Sequence, residues 1–215
     1  MSFARSLAVL MLAAVSATAG TILIGSNGTG ADPNESNSTG NPTIVITPNA
    51  AWAAALPGTS WVSFAQTGTP NPTPPANGTV VSFFDIVFID RTFTDATLTV
   101  RADDSTSVWV NGTKIFDEAT SVGNTYATCS NFPIGCLVST QKTFTFADLS
   151  PYLVLGTNTL RFDVAQRNGS SFGLNYGGSV TTLEGAEPIP EPSTYFLMGT
   201  ALLALGLLRR RVLGY

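Results

Sequence analysis

Short β-rich runs, separated by Gly, Pro, Asn and Asp, fill the middle of this 215-residue chain. The first convincing one is 43–47, Thr-Ile-Val-Ile-Thr. Residues 61–66 alternate Trp61, Ser63 and Ala65 with Val62, Phe64 and Gln66, the period of two that a half-buried strand needs. The stretch 79–90 is a long β-rich run, and 96–101 follows with Leu98 and Val100 on its inner face. Further on, 142–146 alternates and 159–165 reads as a strand. Residues 171–183 hold one or two last strands, bent at Gly173, Gly177 and Gly178. Strands at this spacing, with no convincing helix between them, predict an all-β sandwich or barrel.

The punctuation between the runs sharpens the reading. Residues 25–42 are rich in Asn, Gly, Ser and Thr and read as a loose lead-in. Prolines at 70, 72, 74 and 75 make 67–78 a surface loop, because proline cannot donate to a sheet ladder. Asn111-Gly112, between Val108/Val110 and Ile115, predicts a two-residue hairpin, since a type I′ turn needs positive φ at both central residues. Asp103-Asp104 marks the turn entering that hairpin, and 148–153 reads as a turn or a single helical turn. Gly156-Thr157-Asn158 is a tight corner before the next strand.

Two segments resemble the galactose-binding-like jelly roll found in carbohydrate-binding modules. One runs from Arg101-Ala102-Asp103-Asp104 into Val108-Trp109-Val110-Asn111-Gly112. The other runs from Phe146 to Leu153 and on through Gly156-Thr157-Asn158. The resemblance implies a jelly-roll-like antiparallel β-sandwich in which Leu149 and Leu153 plug the core. It carries no function with it.

Both ends of the chain differ from the middle. Residues 1–19 read as a secretory signal peptide: Arg5 is the positive n-region, 7–15 the apolar h-region, and Ala17-Thr18-Ala19 an A-x-A cleavage site. At the other end, Pro190-Glu191-Pro192 precedes an apolar helix former at 195–208 and then Arg209-Arg210-Arg211. Basic residues beside a span stay cytoplasmic, which puts everything before Pro190 outside. This order of Pro-Glu-Pro, apolar helix and arginine cluster resembles the PEP-CTERM sorting signal of Gram-negative, polysaccharide-producing bacteria. Four residues trail past the arginines, where such tails usually stop. The resemblance implies an exosortase that recognises and cuts the tail. The implied path is export, transient anchoring in the inner membrane, and release to the cell envelope or extracellular matrix. The expected organisation is a signal peptide at 1–19 removed by signal peptidase, a β-sandwich at 20–187, and a sorting signal at 188–211 with a transmembrane helix at 195–208.

Charge enters mainly by its scarcity. Between residues 20 and 189 there are six basic and thirteen acidic residues, a net charge near −7. A sparse acidic surface excludes nucleic acid as a partner. The chain has no histidine, which removes Ser-His-Asp and Cys-His nucleophile systems and most catalytic zinc sites. Cys129 and Cys136 form an even pair in an exported chain and predict one disulfide.

Candidate chemistry is thin. Asp103 and Asp104 are an adjacent acidic pair, read either as ordinary turn residues or as calcium ligands. Calcium is the only cofactor with a candidate site. Asp85, Asp90 and Asp163 are the carboxylates that a glycosidase would draw on, though their spacing singles out none. Trp52, Trp61, Trp109, Tyr126 and Tyr176 are the candidate sugar platforms. Of these, Trp109 is expected to face the core, because large aromatics dominate core energetics. Three functions fit: a non-enzymatic matrix protein that binds exopolysaccharide or is built into it, a carboxylate-dependent carbohydrate-active enzyme, and an ice- or surface-binding protein. The first is the expectation; the threonine pairs 92/94, 97/99 and 143/145 lack the common period that the third requires.

Overall fold

The strand order is that of a jelly roll. The computed structural model describes residues 19–70, 72–118, 129–167 and 169–183. Ala17, Tyr126, the 195–208 helix, and Pro190, Glu191, Pro192, Arg209, Arg210 and Arg211 lie outside the described residues. Eleven strands are described: β1 (Ala19–Gly25), β2 (Ser36–Asn37), β3 (Ile44–Val45), β4 (Val62–Ser63), β5 (Val80–Ile89), β6 (Phe93–Asp103), β7 (Ser105–Val110), β8 (Thr113–Phe116), β9 (Lys142–Phe144), β10 (Gly156–Ala165) and β11 (Gly173–Leu183). One sheet runs β3-β4-β11-β6-β9, with β1 also paired to β11, and the other runs β2-β5-β10-β7-β8. If the two-residue strands are set aside and the other eight renumbered along the chain, the sheets read 1-8-3-6 and 2-7-4-5. That is the order of two interlocked Greek keys.

Period-two patterning explains why the sheets face each other. In β5, Val81, Phe83, Val87 and Ile89 are buried while Val80, Ile86 and Phe88 are exposed. β10 answers with Leu160, Phe162 and Val164 turned inward. Phe162 stacks on Tyr176 of β11 at 4.5 Å, joining the two sheets through the core. Each such side chain, fully buried, contributes about 1.5–3 kcal/mol. Helix α1 (Phe146–Leu149) closes one end, its first turn held by a reciprocal bond between Thr145 and Asp148. Leu149 and Leu153 both enter the core, as the resemblance implied.

The expected hairpin forms at Asn111-Gly112, with φ of 49° and 79°. Its asparagine does more than turn the chain. Asn111 Nδ2 donates to the Tyr152 carbonyl and to Asn158 Oδ1, both at 2.8 Å, and its Oδ1 accepts the Thr159 amide at 2.8 Å. The turn is thereby stitched to the corner that launches β10.

Three expectations change and one is narrowed. The first strand is β1, which begins at Ala19, the last residue of the expected leader, paired with Leu183. The lead-in 25–42 is built rather than loose: Glu35 is 3% exposed and accepts the Gly28 amide at 3.0 Å. The alternation at 61–66 collapses to β4, because Trp61, Val62 and Ser63 are all buried. Of the one or two last strands expected, one forms, the eleven-residue β11. Gly177 serves close approach instead, since a Cβ there would stand 3.0 Å from Thr59 Cγ2, where residues 56–59 cover the sheet.

Cys129 and Cys136 are joined in a disulfide. The bridge packs with Ile46, Trp52 and Trp61 in a second, smaller core outside the sandwich.

Candidate functional site

The acidic pair singled out in the sequence does not sit on an open turn. Asp103 ends β6 in one sheet and Ser105 begins β7 in the other, so the chain changes sheets across Asp104. Such a corner is covered from several sides, and Asp103 and Asp104 are 1% and 0% exposed. Trp52 Nε1 donates to Asp103 Oδ2 at 2.6 Å. The Arg167 amide donates to Asp104 Oδ2, and the Ser130 amide to the Asp104 carbonyl at 2.9 Å. Burial pushes the Asp103 carboxyl well up from its ordinary value, the neighbouring Asp104 carboxyl adds to this, and the Trp52 donor opposes it. Arg167 pairs with Glu118, which also accepts Ser105 Oγ at 2.5 Å. Calcium takes six to eight oxygens. Among the described residues no group of three or more Asp, Glu or Cys side chains gathers to hold a metal. Burial and the adjacent carboxyl both favour the neutral form of Asp103.

The glycosidase carboxylates are kept apart. Asp85 points inward from β5, 2% exposed, whereas Asp163 lies on the opposite face of the same sheet, bound to Arg161. Asp90 is beyond the end of β5, ion-paired with Arg91 at 3.4 Å. Asp85 is hydrogen-bonded to the Tyr176 side chain and its charge acts on Glu35, which the sequence did not flag. Burial raises Asp85 to about 6, helped by the Asp32 charge, and raises Glu35 to about 7, helped by the Asp85 charge. Perturbed carboxyls of this kind serve acid–base chemistry where substrate reaches them; here both side chains are closed in.

Of the expected aromatic platforms, Trp52 and Trp61 pack together at 4.3 Å in the second core, and Tyr176 lies in the first. Trp109 was expected in the core and is instead on the outer face of β7. Val108 and Val110 take the inward positions, both at 0% exposure, so strand parity turns Trp109 out. Cross-strand register then builds a row of Phe84, Arg161, Trp109 and Lys114 across four strands. The Arg161 guanidinium stands 4.6 Å from the Trp109 ring centre and Lys114 Nζ 5.2 Å, both in cation–π range.

A second row holds the cations in place. Arg161 makes a two-point bond to Asp163 at 2.7 Å, and Ser82 Oγ donates to Asp163 Oδ1 at 2.6 Å. The bond to Asp163 raises the Arg161 pKa. Lys114 and Ser107 both reach Asp117 at 3.0 Å, and these bonds lower the Asp117 carboxyl. Beside the rows, Ile86 and Phe88 of β5 are exposed. The result is a strip of rings and fixed charges on the outer face of the five-stranded sheet. Arg161 and Lys114 carried no motif that marked them; only their alternation with inward residues hinted at an outer face.

No curated protein matches the chain in sequence. Among solved structures, a family 35 carbohydrate-binding module from Clostridium thermocellum aligns at 12% identity and a TM-score of 0.38, covering 74% of this chain and 97% of the module. One from Paenibacillus barcinonensis aligns at 15% identity and 0.36, covering 73% and 97%. One from an environmental isolate aligns at 16% and 0.31, covering 73% and 91%. Residues 188–211 match the PEP-CTERM protein-sorting motif. The chain thus carries the tail of an exported protein that is membrane-anchored until an exosortase cleaves it.

Proposed function

We propose that this is a non-catalytic envelope or extracellular-matrix protein whose sandwich holds exopolysaccharide on the outer face of its five-stranded sheet. Signal peptidase removes residues 1–19, the 195–208 helix holds the chain in the inner membrane, and exosortase releases it at the tail. The observation that carries the binding half is the outward row of Phe84, Arg161, Trp109 and Lys114. Rings of this kind meet the CH faces of sugars, and the fixed charges beside them take the hydroxyls. Asp85, Asp90 and Asp163 do not share a cleft, which favours holding over hydrolysis.

The test is retention of the exported protein on immobilised polysaccharides, with and without calcium. Trp109→Ala and Phe88→Ala are expected to lose retention with little change in melting temperature. Full retention by both variants would sink the assignment of this face. Calcium answers a separate question about Asp103 and Asp104. A rise in melting temperature with calcium, abolished in Asp103→Asn, would mean that the pair holds a cation instead of a proton.

A further inference from the structure

The side of the sandwich opposite β2 is closed by two short edge strands, β8 and β9, with α1 beneath them. Between them lies a half-open cleft of about 270 Å³, near the lower limit of roughly 300–1,000 Å³ for ligand pockets and so matched to a single sugar-sized unit. Phe144, 2% exposed, is its floor; Phe116 and Tyr152 are its walls, and Lys142 and Asp148 stand at its rim. Phe116 meets Phe144 edge-to-face at 5.9 Å.

Lys142 is unusual among the cations of the described residues. Arg91, Lys114, Arg161 and Arg167 each pair with a carboxylate. Arg101 is bonded to Gln141 and to the Ala54 carbonyl. Lys142 Nζ makes no hydrogen bond or ion pair among the described residues and is held instead over the rings of Phe116 and Phe144, at 5.8 and 5.5 Å. Asp148 stands close enough to feel its charge but makes no ion pair with it: its Oδ2 takes the Thr145 amide at 2.8 Å and the Thr145 hydroxyl at 2.9 Å. Those two bonds, and after them the Lys142 charge, keep the Asp148 carboxyl below its ordinary value. Its other oxygen can accept hydroxyl groups.

We infer that this cleft is a subsite for an acidic sugar residue of a polysaccharide. The anionic substituent pairs with Lys142, the apolar face of the ring lies on Phe116 and Tyr152, and ring hydroxyls donate to Asp148. The inference rests on the polysaccharide-holding reading and adds a charge preference at a second place, around the β8 edge from Trp109.

The experiment is calorimetric titration of the exported protein with a polyuronate, a sulfated dextran and a neutral dextran. Wild type should bind an acidic polymer more tightly than the neutral one; polyuronate preferred over sulfated dextran names the substituent as a carboxylate, and the reverse names it as a sulfate. Lys142→Gln should weaken acidic binding about fivefold, the scale of one partly exposed charge-assisted contact, and leave neutral binding unchanged. Lys142→Arg should retain most of it. Ala147→Glu, which adds an anion at the exposed rim of the cleft, should weaken acidic binding similarly without touching the floor. Acidic binding untouched by Lys142→Gln and Ala147→Glu but lost in Trp109→Ala overturns this subsite and leaves the sheet-face reading standing. Equal weakening of acidic and neutral binding also overturns it. No binding of any polymer by wild type overturns both.

Discussion

Replacing Glu35 by glutamine should stabilise this domain at pH 8 and change little at pH 4. Glu35 is 3% exposed, and its Oε1 accepts the amides of Asn27 and Gly28. Burial raises its pKa from 4.5 to about 7, the Asn27 amide pulls it down, and the Asp85 charge pushes it up again. An acid whose folded pKa lies above its unfolded value binds its proton more tightly in the native state. Its stabilisation is therefore fully present below about pH 4.5 and is lost as pH rises through about 7. The rise from 4.5 to about 7 corresponds to ~3.4 kcal/mol at 1.36 kcal/mol per pH unit. Relaxation of the site around the ionised carboxylate lowers this to about 2 kcal/mol. Glutamine keeps the oxygen that holds the 27–28 amides and never ionises. For a domain of this size about 2 kcal/mol is roughly 4–8 °C in melting temperature. Thermal melts of wild type and Glu35→Gln at pH 4 and pH 8, with Glu35→Ala as the variant that also loses the amide bonds, measure it. A Glu35→Gln melting temperature at or below wild type at pH 8 would refute the reasoning. So would a gain of equal size at both pH values.

Three further outcomes follow from the packing. Asn111→Ala removes the Tyr152, Asn158 and Thr159 contacts and leaves alanine at φ 49°; at about 1 kcal/mol per bond and 1–2 for the left-handed backbone, urea unfolding should show a loss of about 4–5 kcal/mol. Asn111→Gly should recover only the backbone part. Reducing Cys129–Cys136 should cost about 2 kcal/mol in chain entropy and shift tryptophan fluorescence, because the bridge packs on Trp52 and Trp61; an unchanged spectrum would contradict that packing. Arg167→Met leaves Glu118 without its cation and should cost about 3 kcal/mol, with Arg167→Met/Glu118→Gln recovering part of it in a double-mutant cycle by urea titration.

Local chemistry was legible wherever one short segment decides its own conformation. The Asn111-Gly112 turn, the proline-rich surface loop, the plug residues Leu149 and Leu153 and the Cys129–Cys136 bridge all formed as the residues imply. The sorting tail was legible for the same reason, since its three parts are contiguous in the chain. Period-two runs likewise identified most of the strands, because alternation is a property of a single strand. What the chain alone left open depends on what lies across from each residue. Val108-Trp109-Val110 alternates whichever way it faces, and only the partner sheet chooses the valines for the core. Asp103-Asp104 reads as a turn until the change of sheet buries it beneath Trp52 and Arg167. Glu35 lies 50 residues from Asp85 and feels its charge only because β2 docks beside β5. Lys142 and Phe116 come together across the rims of two different sheets. Most strands, the turns, the bridge and the sorting motif could be read along the chain because they are local. Which face is inside, which carboxyls are paired and that Lys142 has no ion pair among the described residues follow from contacts between strands far apart along the chain.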